Sequence, residues 1–134
     1  MADKFCMVVS EGSLDKAMMP MIMGTTAASM GMEVHVFCTF FGLKILKKGM
    51  RPKLPGLMSL FTGMMEKKMK KSNVPGYQEM LAQAKELGVQ FYACSTSMEL
   101  MGLKKEDLVD GTKVLGASAF LNLAADSKMT LFIG

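Results

Sequence analysis

The sequence predicts an α/β protein built on a parallel sheet with helices on both faces. Two observations carry this. Short apolar runs rich in valine and phenylalanine alternate with longer segments of helical periodicity, and most junctions are marked by glycine, proline or serine. Such alternation sets successive strands side by side and parallel. At 134 residues the chain suffices for a single domain over 1–134, burying roughly two-thirds of its unfolded surface.

The elements follow in order. Lys4 to Ser10 reads as a strand that ends in a Ser-Glu-Gly turn. Ser13 is placed as an N-cap, and the helix after it runs to about Met30, kinked or restarted at Pro20 and closed by Gly31. Glu33 to Cys38 is the second strand and Phe40 to Leu46 a short apolar turn. Leu57 to Lys71 reads as one helix, with Leu57, Phe61, Met64 and Met65 at helical spacing, Phe61 turned inward, and lysines at the C-terminal end. Tyr77 to Leu87 is an amphipathic helix closed by Gly88. Val89 to Cys94 is the third strand, followed by a short helix over Ser95 to Met101. A helical turn at Lys104 to Leu108, a short strand at Thr112 to Leu115, a helix at Ser118 to Ala125 and a strand at Met129 to Ile133 complete the chain.

Composition excludes several classes. Half of the residues are hydrophobic and about a fifth charged, a globular balance with some apolar excess that suits burial in a homo-oligomer. Met1 to Lys4 opens no signal peptide, and the uncharged stretch from Ala17 to Met32 is too short and too rich in Pro, Gly, Thr and Ser for a span, so a cytoplasmic protein is expected. The three cysteines form no CxxC and no Cys/His pair at ligand spacing, which argues against structural zinc and against a disulfide framework. Nothing matches a dinucleotide or P-loop pattern, so no metal and no cofactor is expected.

In an open parallel sheet, sites collect beyond the carboxyl ends of the strands. Cys38 and Cys94 both end strands, whereas Cys6 lies mid-strand and reads as a small buried hydrophobe. Cys94 immediately precedes a helix, whose free N–H groups favour a thiolate, and Ser95, Thr96 and Ser97 add three hydroxyls suited to an anionic adduct. On residues alone the alternative stays open that Cys94 packs and Ser95 or Ser97 merely caps the helix. Cys38 is followed by the less polar Thr39, Phe40 and Phe41; it is a core-rim residue or, if its strand neighbours the third, a second thiol that resolves or shields Cys94. His35, the only histidine, reads as a satisfied strand residue, so a Cys/His dyad is not expected.

Charge is unevenly placed. Lys44 to Lys71 holds nine of the sixteen basic residues against one acid, Glu66, and the remainder carries seven basic and eleven acidic residues. This Met/Lys-rich stretch, an insertion at about 44–73, offers Lys67, Lys68, Lys70, Lys71, Met64 and Met65 for docking an acidic partner or anionic substrate, ahead of a lipid surface. An oligomer-interface helix with a solvated basic end is the plainer alternative. With neither tyrosine nor tryptophan in it, the stretch is not read as a nucleic-acid face.

The block Val89-Gln-Phe-Tyr-Ala-Cys94-Ser-Thr-Ser-Met-Glu-Leu-Met-Gly-Leu103, with Lys105-Glu-Asp-Leu108 and Val114-Leu-Gly-Ala-Ser-Ala-Phe-Leu121, resembles the DsrE/DsrF-like superfamily, in a branch often labelled DsrE-like or peroxiredoxin-family. The turn at Ser10 to Ser13 and the stretch from Cys38 to Gly42 are similar to the same branch, so the resemblance spans nearly the whole chain. It implies a three-layer α/β/α sandwich with a mostly parallel sheet of about five strands. It implies homo- or hetero-oligomers, and a cysteine at Cys94 that carries sulfur as persulfide or thiosulfonate for a partner thiol. Peroxidase activity is not carried over, because no PxxxTxxC arrangement is present. A non-catalytic docking subunit that uses the basic stretch is the competing reading, followed by a thiol peroxidase and a nucleotide- or flavin-binding module.

Overall fold

The computed structural model describes residues 2–134. Five strands, β1 (Lys4–Val9), β2 (Glu33–Cys38), β3 (Gln90–Cys94), β4 (Lys113–Leu115) and β5 (Met129–Ile133), form one sheet in the order β4-β3-β2-β1-β5, and every neighbouring pair is parallel. The helices are α1 (Leu14–Ser29), α2 (Thr62–Lys71), α3 (Tyr77–Glu86), α4 (Ser95–Met101) and α5 (Ala117–Ala124). From β1 to β4 the chain steps sideways one strand at a time, and after β4 it crosses back to the far edge through α5. Right-handed crossovers put the helices of the first steps on one face and, once the direction reverses, α5 on the other.

Side-chain alternation divides the core accordingly. Phe5, Met7 and Val9 of β1, Val34, Val36 and Cys38 of β2, and Phe91 and Ala93 of β3 pack beneath α1 and α3, against Ala17, Met21, Leu81 and Ala84. The opposite set, Cys6, Phe37, Tyr92 and Cys94, meets Phe120 of α5. Phe37 and Phe120 stack with centroids 4.3 Å apart and nearly parallel rings. The first face is covered by α1 and α3 with Met98 of α4 beside them, and the second by the short α5 alone.

Local chemistry explains most boundaries. Gly31, Gly88 and Gly102 close α1, α3 and α4 with positive φ, a conformation that costs other residues a Cβ clash. Pro20, expected to kink or restart α1, lies inside one continuous helix and is buried. Its missing N–H removes one intrahelical bond without ending the helix, whose Ala17, Met21 and Gly24 are buried against the sheet. Ser13 occupies the N-cap position, but its hydroxyl donates to the Asp15 carboxylate at 2.7 Å instead of capping the backbone.

The stretch between β2 and α3 differs from expectation. Residues Gly56–Phe61 form a 3₁₀ turn, and only Thr62–Lys71 is α-helical. The Thr62 hydroxyl fixes the junction by accepting from the Leu54 N–H at 3.0 Å and donating to the Ser59 carbonyl at 2.7 Å. The tighter 3₁₀ period rotates Phe61 off the inward face, and it is exposed.

Candidate functional site

The helices leaving β3 and β4 depart to opposite faces of the sheet. Met98 of α4 joins the core beneath α1 and α3, whereas Phe120 of α5 joins the other core. The carboxyl ends of β3 and β4 therefore bound a topological switch point, where open α/β sheets leave a crevice. Cys94 and Leu115 are register partners at those ends. A Cβ on Gly116, the N-cap residue of α5, would lie 3.6 Å from the Ser95 hydroxyl, so the first turns of α4 and α5 converge.

Cys94 is itself the N-cap residue of α4, in extended geometry (φ −69°, ψ 121°). Serine, threonine and aspartate favour that position because an oxygen there accepts from the N–H groups of the first turn. Here no side chain caps that turn, which leaves its amides beside the sulfur. Ser95 and Thr96 are exposed and Ser97 is buried. The thiol is mostly covered, at 8 % relative exposure of the residue, between Tyr92, Phe37 and Phe120 below and the helix starts above.

Cys38 lies on the neighbouring strand, as the second-thiol idea required, but it does not face Cys94. Its register partner is Ala93, and both belong to the core under α1 and α3; Cys94, one residue further on, points to the α5 side. Cys38 is fully buried, and burial pushes its thiol far above the ordinary range. The sheet stands between these sulfurs, so a direct resolving reaction requires the strands to part. Cys6 does share the face of Cys94. It lies two strands away and four residues lower in register, about 10 Å across and about 13 Å along the sheet. Its sulfur accepts from the Ser127 hydroxyl at 3.0 Å, and burial raises its pKa. All three cysteines are free.

His35 is satisfied within its strand. Its Nε2 lies 2.7 Å from the Glu33 carboxylate and its Nδ1 2.7 Å from the Tyr92 hydroxyl. With Nε2–H donating to the acceptor-only carboxylate, Nδ1 accepts from tyrosine. Nothing is left over for Cys94. No group of three or more potential metal ligands exists among the described residues.

The docking candidates Lys67, Lys68, Lys70, Lys71, Met64 and Met65 are all exposed on α2. Met69 packs against the core beneath α1 and α3, and with Met65 it lines an apolar depression beside Leu14, Met18 and Ile22 of α1, which puts α2 on the face opposite the one Cys94 points into. The lysines and methionines of α2 thus lie across the sheet from the Cys94 side chain.

Residue-level reasoning missed Gly116 and the Phe37–Phe120 stack. The signal for Gly116 was present, since a glycine directly before Ala-Ser-Ala-Phe is an acceptable N-cap. The stack has no local signature, because it joins residues 83 apart in sequence.

Comparisons with known proteins agree with this architecture. A family model described as "DsrE/DsrF/DrsH-like family" matches residues 1–56 and 50–132. The sulfur carrier protein DsrE2 of Allochromatium vinosum is 34% identical, over 97% of this chain and 98% of its own length. The uncharacterized protein YrkE of Bacillus subtilis is 33% identical over 94% of each chain. Among solved structures, the ychN protein from E. coli superposes with a TM-score of 0.67 at 12% identity, covering 97% of this chain and 98% of that one, and so speaks to the fold alone. By its sequence match along the whole chain, this protein belongs to the DsrE/DsrF/DrsH-like family.

Proposed function

We propose that the protein is a sulfur carrier in a relay, with Cys94 as the loaded residue. One observation carries the reading: a cysteine occupies the N-cap position at the switch point of the sheet, where two helix starts converge and no side chain caps the first turn of α4. The likeness to a relative named as a sulfur carrier supports it.

The chemistry is short. The Cys94 thiolate attacks the outer sulfur of thiosulfate, a sulfur–sulfur bond forms, and sulfite leaves with the electron pair of the broken bond. Tetrathionate instead leaves a thiosulfonate on Cys94 and releases thiosulfate. First-turn N–H groups, with the hydroxyls of Ser95, Thr96 and Ser97, stabilise the anionic adduct. A partner thiolate then attacks the terminal sulfur of the persulfide and departs carrying it, and Cys94 returns as thiolate. The partners on this reading are sulfur anions and donor or acceptor thiol proteins, met in the cytoplasm by a homo-oligomer. Cys38 takes no part in the step.

Intact mass after brief exposure to thiosulfate, tetrathionate or polysulfide tests this. The expected result is a reductant-removable gain of about 32 Da or about 112 Da in wild type and none in Cys94→Ser. An adduct of equal yield in both proteins would sink it.

A further inference from the structure

We propose that the exposed turn Gly56–Phe61 and the lysines of α2 form a peripheral anchor that seats the protein on an anionic lipid surface. Residues 54–65 form a charge-free run of twelve, and no residue of the 3₁₀ turn is buried. Leu57 is 88% exposed and Leu60 82%, and Met58, Phe61, Met64 and Met65 are exposed beside them. Residues this apolar stand in water here while the core of the same chain takes the fully buried Met7 and Met21. The turn is also fixed in place, by the Thr62 hydrogen bonds at its end and by the Arg51–Glu66 ion pair behind it.

Cations bracket the run, with Lys53 before it and Lys67, Lys68, Lys70 and Lys71 after it. None of these five is in an ion pair among the described residues, and the only acid of the stretch, Glu66, is already held by Arg51. An apolar tip flanked by free lysines is the pattern that lies in a headgroup layer, the tip among acyl chains and the ammonium groups at the phosphates. No helix among the described residues is long and apolar enough to cross a membrane, so the contact is a surface one. A second copy is the poorer occupant. Of the eleven acids outside the stretch, Asp3, Glu11, Glu33, Asp110 and Asp126 are each engaged by a cation or by His35. The other six, Asp15, Glu79, Glu86, Glu99, Glu106 and Asp107, are divided among α1, α3, α4 and the turn at Lys105–Asp107, so no one element offers more than two of them to the lysines.

The chain contains no tryptophan, so Leu60→Trp supplies a single clean reporter. With mixed phosphatidylcholine–phosphatidylglycerol vesicles its emission shifts to the blue and the protein co-sediments. With pure phosphatidylcholine neither happens, and added salt reverses both. Exchanging Lys67, Lys68, Lys70 and Lys71 for glutamine weakens vesicle binding by about a hundredfold or more. Leu57→Gln with Leu60→Gln abolishes it, and both sets leave the circular-dichroism spectrum unchanged because the side chains are exposed. Cys94→Ser binds vesicles like wild type, so failure here and failure of the carrier reading are separable. Three results would overturn the proposal: no blue shift on anionic vesicles, binding to polyglutamate without binding to vesicles, or lipid-free self-association lost in the same variants.

Discussion

Cys38 and Cys94 end adjacent strands, and both are largely hidden from solvent, yet they occupy opposite chemical worlds. Cys38 closes β2 under two helices, with apolar side chains around it and no polar partner. Cys94 closes β3 one residue beyond the register partner of Cys38, which turns it to the thinly covered face and makes it the first residue of a helix start. A shift of one residue flips a side chain through the sheet. Ending a strand therefore does not by itself fix a cysteine's surroundings: the face it takes and the element that follows decide.

The largest expected difference is in loading. Cys94→Ser abolishes the reductant-labile adduct, whereas Cys38→Ser retains it at wild-type yield; loss of loading in Cys38→Ser, with its fold intact by circular dichroism, would break the comparison. The second difference is in stability and runs the other way. Cys38→Ser places a hydroxyl without a partner in an apolar site and costs about 1–3 kcal/mol in urea unfolding, while Cys94→Ser, beside unsatisfied first-turn amides, costs under about 1 kcal/mol.

The third lies in alkaline pH. The thiol of Cys38 is held far above its ordinary value of 9.0 by burial, so above pH 9 the unfolded chain loses a proton that the folded chain keeps. Stability is then full below pH 9 and falls as pH rises, by at most about 1.4 kcal/mol per pH unit for one such group. Cys6 adds in the same sense, since burial raises its thiol too. Unfolding measured between pH 8 and 10 is expected to slope downward, with a shallower slope in Cys38→Ala; an unchanged slope would place the titration elsewhere. The smallest effect concerns Gly116. A methyl there meets Ser95 at ordinary contact distance, so Gly116→Ala leaves stability within about 0.5 kcal/mol, whereas a larger Gly116→Leu crowds Ser95 at the start of α4 and is expected to slow loading of Cys94.

Much of this was legible in the chain. The strands at Glu33–Cys38 and Met129–Ile133 and the short helix at Ser95–Met101 fall where apolar pattern and flanking glycines put them. Cys94 was legible as a strand-to-helix junction for the same reason. The face it takes was not, because face follows from register, and register is set by partner strands far along the sequence. Pro20 does not restart α1, because a proline penalty is local and burial of Ala17, Met21 and Gly24 against the sheet carries the helix through it. Phe61 misled because methionine and leucine spacing cannot tell a 3₁₀ turn from an α-turn over so few residues. The orientation of that turn toward solvent is likewise a tertiary fact, since its residues are as apolar as those of the core.

The most direct test is to map the adduct rather than weigh it. Wild-type protein loaded with thiosulfate, blocked with an alkylating agent and digested should carry the added sulfur on the peptide containing Cys94, with Cys6 and Cys38 unmodified until the protein is unfolded. Sulfur on the Cys38 or Cys6 peptide of folded protein, or loading that survives in Cys94→Ser, would contradict the account.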